Sequence, residues 1–234
     1  MKITAIKTRV FKESEDLINF IIAYVHRLPE NSILLVTSKI VALAEGRTAV
    51  AKDAKSKEKL IRSESELALP TKYCWLTIKD GQIMASAGID ESNGNGKLIL
   101  LPKDSFRSAR LIRKKLLSKF RLKNLGIIIT DSRTMPLRAG VMGMAVGYAG
   151  IKGVRDYRGR PDIFGRKLHF SRTDVVDSMA TAAVLVMGEG AERCPLVVIN
   201  DAPVEFCQRL QKNELYIDIK DDMYRPLFEK VSKR

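Results

Sequence analysis

A chain of 234 residues, 45% hydrophobic and 29% charged, holds enough apolar material for a real core in one domain or two interlocked ones. Its longest apolar runs, Ser32 to Val36 and Ala182 to Met187, fall far short of the roughly 20 residues that span a bilayer, which argues against a membrane protein. The net charge of +14 points to an anionic partner without choosing among nucleic acid, a membrane surface and a phosphate- or carboxylate-rich substrate.

Lys2 to Val10 alternates polar and apolar residues and reads as a strand; it lacks the continuous apolar segment of a secretory signal, so a cytoplasmic location is expected. Ser14 to Leu28 carries Leu17, Phe20, Ile21, Tyr24 and Val25 at helical spacing and ends before Pro29. Ser32 to Thr37 is a continuous apolar run, hence a buried strand, and it delivers Ser38 and Lys39 to its C-terminal edge, where ligands of open α/β sheets commonly sit. Ala51 to Glu66 is charged without a clean period and is expected to be a mobile or frayed helix serving as a lid.

Asp80-Gly81 between Trp75 to Lys79 and Gln82 to Ala87 signals a hairpin. From Arg107 to Lys123, cations surround Phe106, Ala109, Ile112, Leu116 and Phe120 at helical spacing, an amphipathic helix with a solvated basic face. No aromatics interleave with these cations as stacking platforms, so nucleic-acid binding stands second. Leu125 to Thr130 is a further buried strand, ending in Asp131-Ser132. In Gly140 to Gly150, bulky residues alternate with Gly143, Ala145, Gly147 and Ala149, so one strand face is stripped for close approach by a helix, another backbone or a ligand.

Asp156 to Arg160 and Asp162 to Arg166 form a short D-x-x-G-R repeat with turn chemistry. Thr173 is placed to cap a helix from Asp174 to Met187, followed by Gly188-Glu189-Gly190 and a last buried strand, Leu196 to Ile199. No linker composition divides residues 1–234. The pattern is α/β, mixed sheets packed with helices.

Cys74, Cys194 and Cys207 are odd in number and widely spaced, which excludes a disulfide framework and a zinc knuckle; His26 and His169 lie in no zinc-binding spacing. Any metal would be held by oxygen, favouring magnesium or manganese. Asp90, Asp131 and Glu189 each follow an apolar segment beside small residues, and Ser132 adds a hydroxyl. Three converging carboxylates would repel one another unless cations neutralised them, so such a cluster implies a divalent ion. Gly94-Asn95-Gly96, and Gly188 with Gly190, would let backbone amides approach phosphates, although no Walker sequence is present.

The segments SKIVALAEGR from Ser38, AGIDESN from Ala87, IITDS from Ile128, GVMGMAVGYAG from Gly140, Asp156 to Arg166, and MGEG from Met187 together resemble the coenzyme F420 gamma-glutamyl ligase family. The resemblance implies an intertwined α/β homodimer that uses GTP and two divalent ions, with potassium as a further candidate, to join L-glutamate to a deazaflavin-bearing acid through an acyl phosphate. By position it assigns Asp90 and Asp131 to one ion and Ser132 and Glu189 to the other. It assigns nucleotide contacts to Thr8, Arg9, Val10, Phe11, Ser38, Lys39, Asn93, Met187, Gly188, Gly190, Ala191, Glu192, Arg193 and Cys194. Leu43 stands where the family carries lysine. Asp131 is the expected catalytic carboxylate, with Lys39 or Arg138, and alternatively Arg9, stabilising the transferring phosphoryl group. A folate already carrying glutamate is the alternative acceptor, and a nucleotide- or nucleic-acid-binding protein without turnover the alternative role.

Overall fold

The computed structural model describes residues 1–209 and 213–227. Strand β1 (Lys2–Ile6) leads to helix α1 (Leu17–Tyr24), strand β2 (Ser32–Thr37) and helix α2 (Ser38–Ala44). A smaller region follows: β3 (Thr48–Ala49), α3 (Ala54–Ser63), β4 (Leu67–Pro70), β5 (Trp75–Lys79), β6 (Gln82–Ala85) and β7 (Leu98–Ile99). The chain then returns through α4 (Ser105–Phe120), β8 (Leu125–Thr134), β9 (Val141–Ala149), β10 (Val154–Asp156), β11 (Arg172–Asp174), α5 (Val175–Met187) and β12 (Leu196–Asn200).

The main sheet has the order β1-β12-β2-β8-β9, with β2 and β8 parallel and the other pairs antiparallel. Period-two alternation sends its side chains to two cores. Leu34, Val36, Ile127 and Ile129 meet α1, α2 and α4 on one face, while Ile33, Leu35, Ile128, Val197 and Ile199 meet α5 on the other. Helices on both faces explain why β2 and β12 read as unbroken apolar runs. The mixed α/β class is as expected. A small third core around Ile61, Ile89, Leu98 and Leu100 supports the region between β3 and β7.

Several element boundaries differ from the sequence expectation. Strand β1 stops at Ile6, not Val10, because its partner β12 begins at Leu196 and the ladder ends with it. Helix α1 starts at Leu17, where Asp16 accepts a hydrogen bond from Asn19 N at 2.8 Å, and it ends at Tyr24, ahead of Pro29. Asp174, not Thr173, caps α5, its carboxylate accepting from Asp177 N at 3.0 Å. The expected frayed lid is instead a defined helix, α3, closed by a reciprocal capping box between Asp53 and Ser56, with Ile61 in the third core. None of its residues lines the large cavity described below.

The predicted hairpin is present, with Asp80 and Gly81 both at positive φ (51° and 70°), the backbone that a two-residue turn matched to strand twist requires. In the repeat, Asp156 pairs with Arg158 at 2.6 Å, and Asp162 accepts from the amides of Phe164 and Arg166, so both are structural turns.

Strand β8 runs through Asp131 and Ser132 to Thr134, past the end expected at Thr130. Its partner β9 carries one extra residue: Ile129 pairs with Gly147 but Thr130 pairs with Ala145, leaving Val146 as a bulge that flips the facing of everything before it. Gly147 therefore abuts Ser105 and Phe106 at the start of α4, whereas Gly143 abuts Ala180 and Val184 of α5. Both stripped positions are filled by the chain's own helices. They are not left for a second subunit.

Candidate active site

Strand register brings distant segments to one sheet edge. Thr37 lies opposite Thr130 on the parallel pair β2 and β8, so Ser38 and Asp131 follow side by side, and Ser38 Oγ donates to Asp131 Oδ1 at 2.9 Å. Strand β12 runs the other way. Its first residue, Leu196, thus starts at that edge, and Thr37 N donates to Pro195 O at 3.0 Å. The end of β1 arrives there too, with Thr8 N donating to Arg193 O at 2.9 Å. Asp90 comes from the smaller region, pinned by its backbone exchange with Ile99 at 2.8 and 2.9 Å.

These segments wall a cavity of about 750 Å3. Thr8 to Phe11, Lys39, Asp90, Asn93, Asp131, Ser132 and Met187 to Cys194 all line it, so most residues singled out in the sequence share one space. Ser38 stands behind the wall, on Asp131. Arg138 does not join them: it sits in an exposed turn between β8 and β9 and is absent from the lining, which removes the geometric basis for its expected catalytic role. Leu43 lines the cavity as an apolar surface.

Each site carboxylate has its own partner. Lys39 Nζ stands 2.7 Å from Asp90 Oδ2 and also donates to Ser92 O and Oγ at 3.1 and 3.0 Å. Burial alone would raise the Asp90 pKa, but Lys39 and the Ser92 amide outweigh it and hold the carboxyl below its ordinary value. Asp131 Oδ2 is paired with Arg133, whose side chain is only 4% exposed. Ser132 Oγ donates to Glu189 Oε1 at 2.6 Å, and Glu189 makes no ion pair among the described residues. Arg9 pairs with Glu15 and lies 5.1 Å from the Phe20 ring centroid, held to the rim. Glu192 folds back so that its Oε2 accepts from Gly190 N at 2.8 Å, occupying an amide that a phosphate could use.

The sequence of this chain matches the model of the F420-0:Gamma-glutamyl ligase family over residues 5–201. It is 31% identical to the coenzyme F420:L-glutamate ligase of Archaeoglobus fulgidus, over 92% of each chain. It is 33% identical to the Methanopyrus kandleri protein of the same name, over 76% of this chain and 78% of the relative, and 37% identical to that of Methanococcus maripaludis strain C7, over 71% and 66%. The chain belongs to the F420-0:gamma-glutamyl ligase family. It is accordingly a ligase.

Arg133, in the lining of this ligase's site, and Asp177, outside that lining, escaped the sequence reading. Arg133 and Asp131 are two apart on one strand and so share a face, a signal concealed because the strand was expected to stop at Thr130. Asp177, in the first turn of α5, accepts from Ala145 N at 2.7 Å. Burial, then the neighbouring Asp174, push its pKa up to about 7. Nothing in the sequence marks Asp177 beyond its place in a helix's first turn.

The oxygens of Asp90, Asp131, Ser132 and Glu189 are chemically suited to magnesium or manganese. Yet among the described residues no three of His, Cys, Asp and Glu gather closely enough to form a ready metal cage. Lys39 and Arg133 already stand on Asp90 and Asp131, so the donor pair free of a cation is Ser132 with Glu189.

Proposed function

We propose that this ligase joins L-glutamate to the carboxylate of a deazaflavin acid of the coenzyme F420-0 type, consuming GTP and depending on magnesium or manganese, with potassium as an accessory ion. The observation that supports this most is the convergence of Asp90, Asp131, Ser132 and Glu189 on the same cavity as the two segments assigned to nucleotide, Thr8 to Phe11 and Met187 to Cys194. The relatives' shared name supplies the acceptor and the amino acid.

Free acid and amine do not condense in water, so the carboxylate must be activated. Its oxygen attacks the terminal phosphorus, the bond to the leaving diphosphate breaks, and an acyl phosphate forms. The glutamate amine then attacks the acyl carbon; the C–N bond forms, inorganic phosphate leaves and the amine proton passes to solvent. A bound divalent ion would neutralise charge on the phosphates. Lys39 would stabilise the transferring phosphoryl group, its ammonium lying at the cavity wall beside Asp90. Ser38 and Arg133 keep Asp131 in one orientation.

A homodimer is part of the proposal. Ile163, Phe164 and Phe170, between β10 and β11, are about nine-tenths exposed, an apolar display that a second copy of the chain would cover. Mass spectrometry of the deazaflavin acid incubated with glutamate, GTP and manganese tests the reaction. A gain of one glutamyl residue is expected. Extension of a folate acceptor alone would replace the acceptor, and extension of neither would reject the ligase reaction proposed here.

A further inference from the structure

Charge pairing in the cavity is uneven. Asp90 is offset by Lys39 and Asp131 by Arg133, while Glu189, hydrogen-bonded to the neutral Ser132 hydroxyl, has no cationic partner among the described residues. Arg133 is no rim residue that could swing aside. Its side chain is 4% exposed, and among the described residues its Nε and Nη2 are buried without a hydrogen-bond partner and its direct partners are Asp131 and the carbonyl of Ser132, both met through Nη1. A divalent ion taking the second oxygen of Asp131 would leave a buried guanidinium with no anion in contact and would stand beside it, two unfavourable terms at once. Asp177 adds a more distant electrostatic attraction that also favours keeping Arg133 in place.

We infer that Arg133 is a built-in cation standing where a divalent ion would otherwise share Asp131, so that the protein itself holds a single divalent ion per chain, on Ser132 and Glu189. This rests on the metal dependence proposed above and specifies the number and place of the ions. Arg133 is thus a positioning residue, holding Asp131 in one orientation without metal.

Titration of the nucleotide-free full chain with Mn2+, followed by electron paramagnetic resonance of the free ion, reads the stoichiometry directly. One ion per chain is expected for the wild type. Glu189→Gln should weaken it at least tenfold, and Arg133→Gln, which removes the charge but keeps a polar side chain, should raise the count to two. Lys39→Met, which frees Asp90 but leaves Arg133 on Asp131, should keep the count at one, and a second ion in that variant would overturn the inference even if Arg133→Gln does not fold. Two ions on the wild type, or one ion indifferent to Glu189→Gln, would overturn the inference while leaving metal dependence intact. A count that stays at one in folded Arg133→Gln would also overturn it. No ion on the wild type would sink the metal dependence itself, and the inference with it.

Discussion

Asp131 and Glu189 line the same cavity but differ in what their removal exposes. Glu189→Gln deletes a carboxylate with no cationic partner among the described residues, so turnover should drop by roughly a hundredfold or more while the thermal midpoint holds. Asp131→Asn should lose a comparable factor and also destabilise the fold by about 1–3 kcal/mol, because it strands the buried Arg133, with Asp131's own partial exposure moderating the cost. Equal urea midpoints for the two variants would contradict this account. Asp177 gives a pH signature. Its folded pKa of about 7 lies above the unfolded value, so the folded state binds the proton more tightly, and this group's contribution to stability is fully present at low pH. That contribution fades as pH rises from the ordinary carboxylate range through about 7. Asp177→Asn keeps an acceptor for Ala145 N, so a melting curve series should show the decline between pH 5 and about 8 flattened relative to wild type. An unchanged slope would mean that Asp177 titrates normally.

At the level of elements, the bulge at Val146 sets which helix each small residue admits. A Cβ at Gly147 would press into the backbone at Ser105 and Phe106, and one at Gly143 into the Ala180 carbonyl. Backbone cannot yield as a flexible side chain can. Gly147→Val should therefore cost at least about 1–3 kcal/mol, the usual penalty for overpacking, read as a lowered urea midpoint. A midpoint within error of wild type would show that α4 can retreat. The basic residues of α4 have a simpler place: Ala109, Ile112 and Leu116 face the core, and the cations occupy the remaining surface. That accounts for much of the chain's charge without requiring nucleic acid.

For the whole molecule, the sheet edge assembles the cavity, and the segment between β10 and β11, outside its lining, displays exposed apolar side chains. Light scattering at micromolar concentration should give the mass of a dimer, and Phe164→Glu should shift it toward a monomer by placing a charge where apolar surface is expected to be buried. A monomeric wild type with full activity would remove the dimer from the proposal.

Residue order alone determined the periodic elements and their type. The apolar run at Ser32–Thr37, the amphipathic pattern of α4, the Asp80-Gly81 turn and the helix after Asp174 are local, because period and turn chemistry are written in neighbouring residues. The carboxylates could be picked out as well, and their segments carry the family resemblance. Pairings that depend on strand register were decided only by tertiary structure. Asp131 meets Ser38 across 93 positions of sequence, and Ser132 meets Glu189 across 57, because parallel β2–β8 and antiparallel β12–β2 end at one edge. The bulge was hidden for the same reason, since an extra residue is defined only against its partner strand. Arg133 became a partner of Asp131 once β8 was extended by pairing with β9, and its burial in the cavity wall reflects packing that no local pattern encodes.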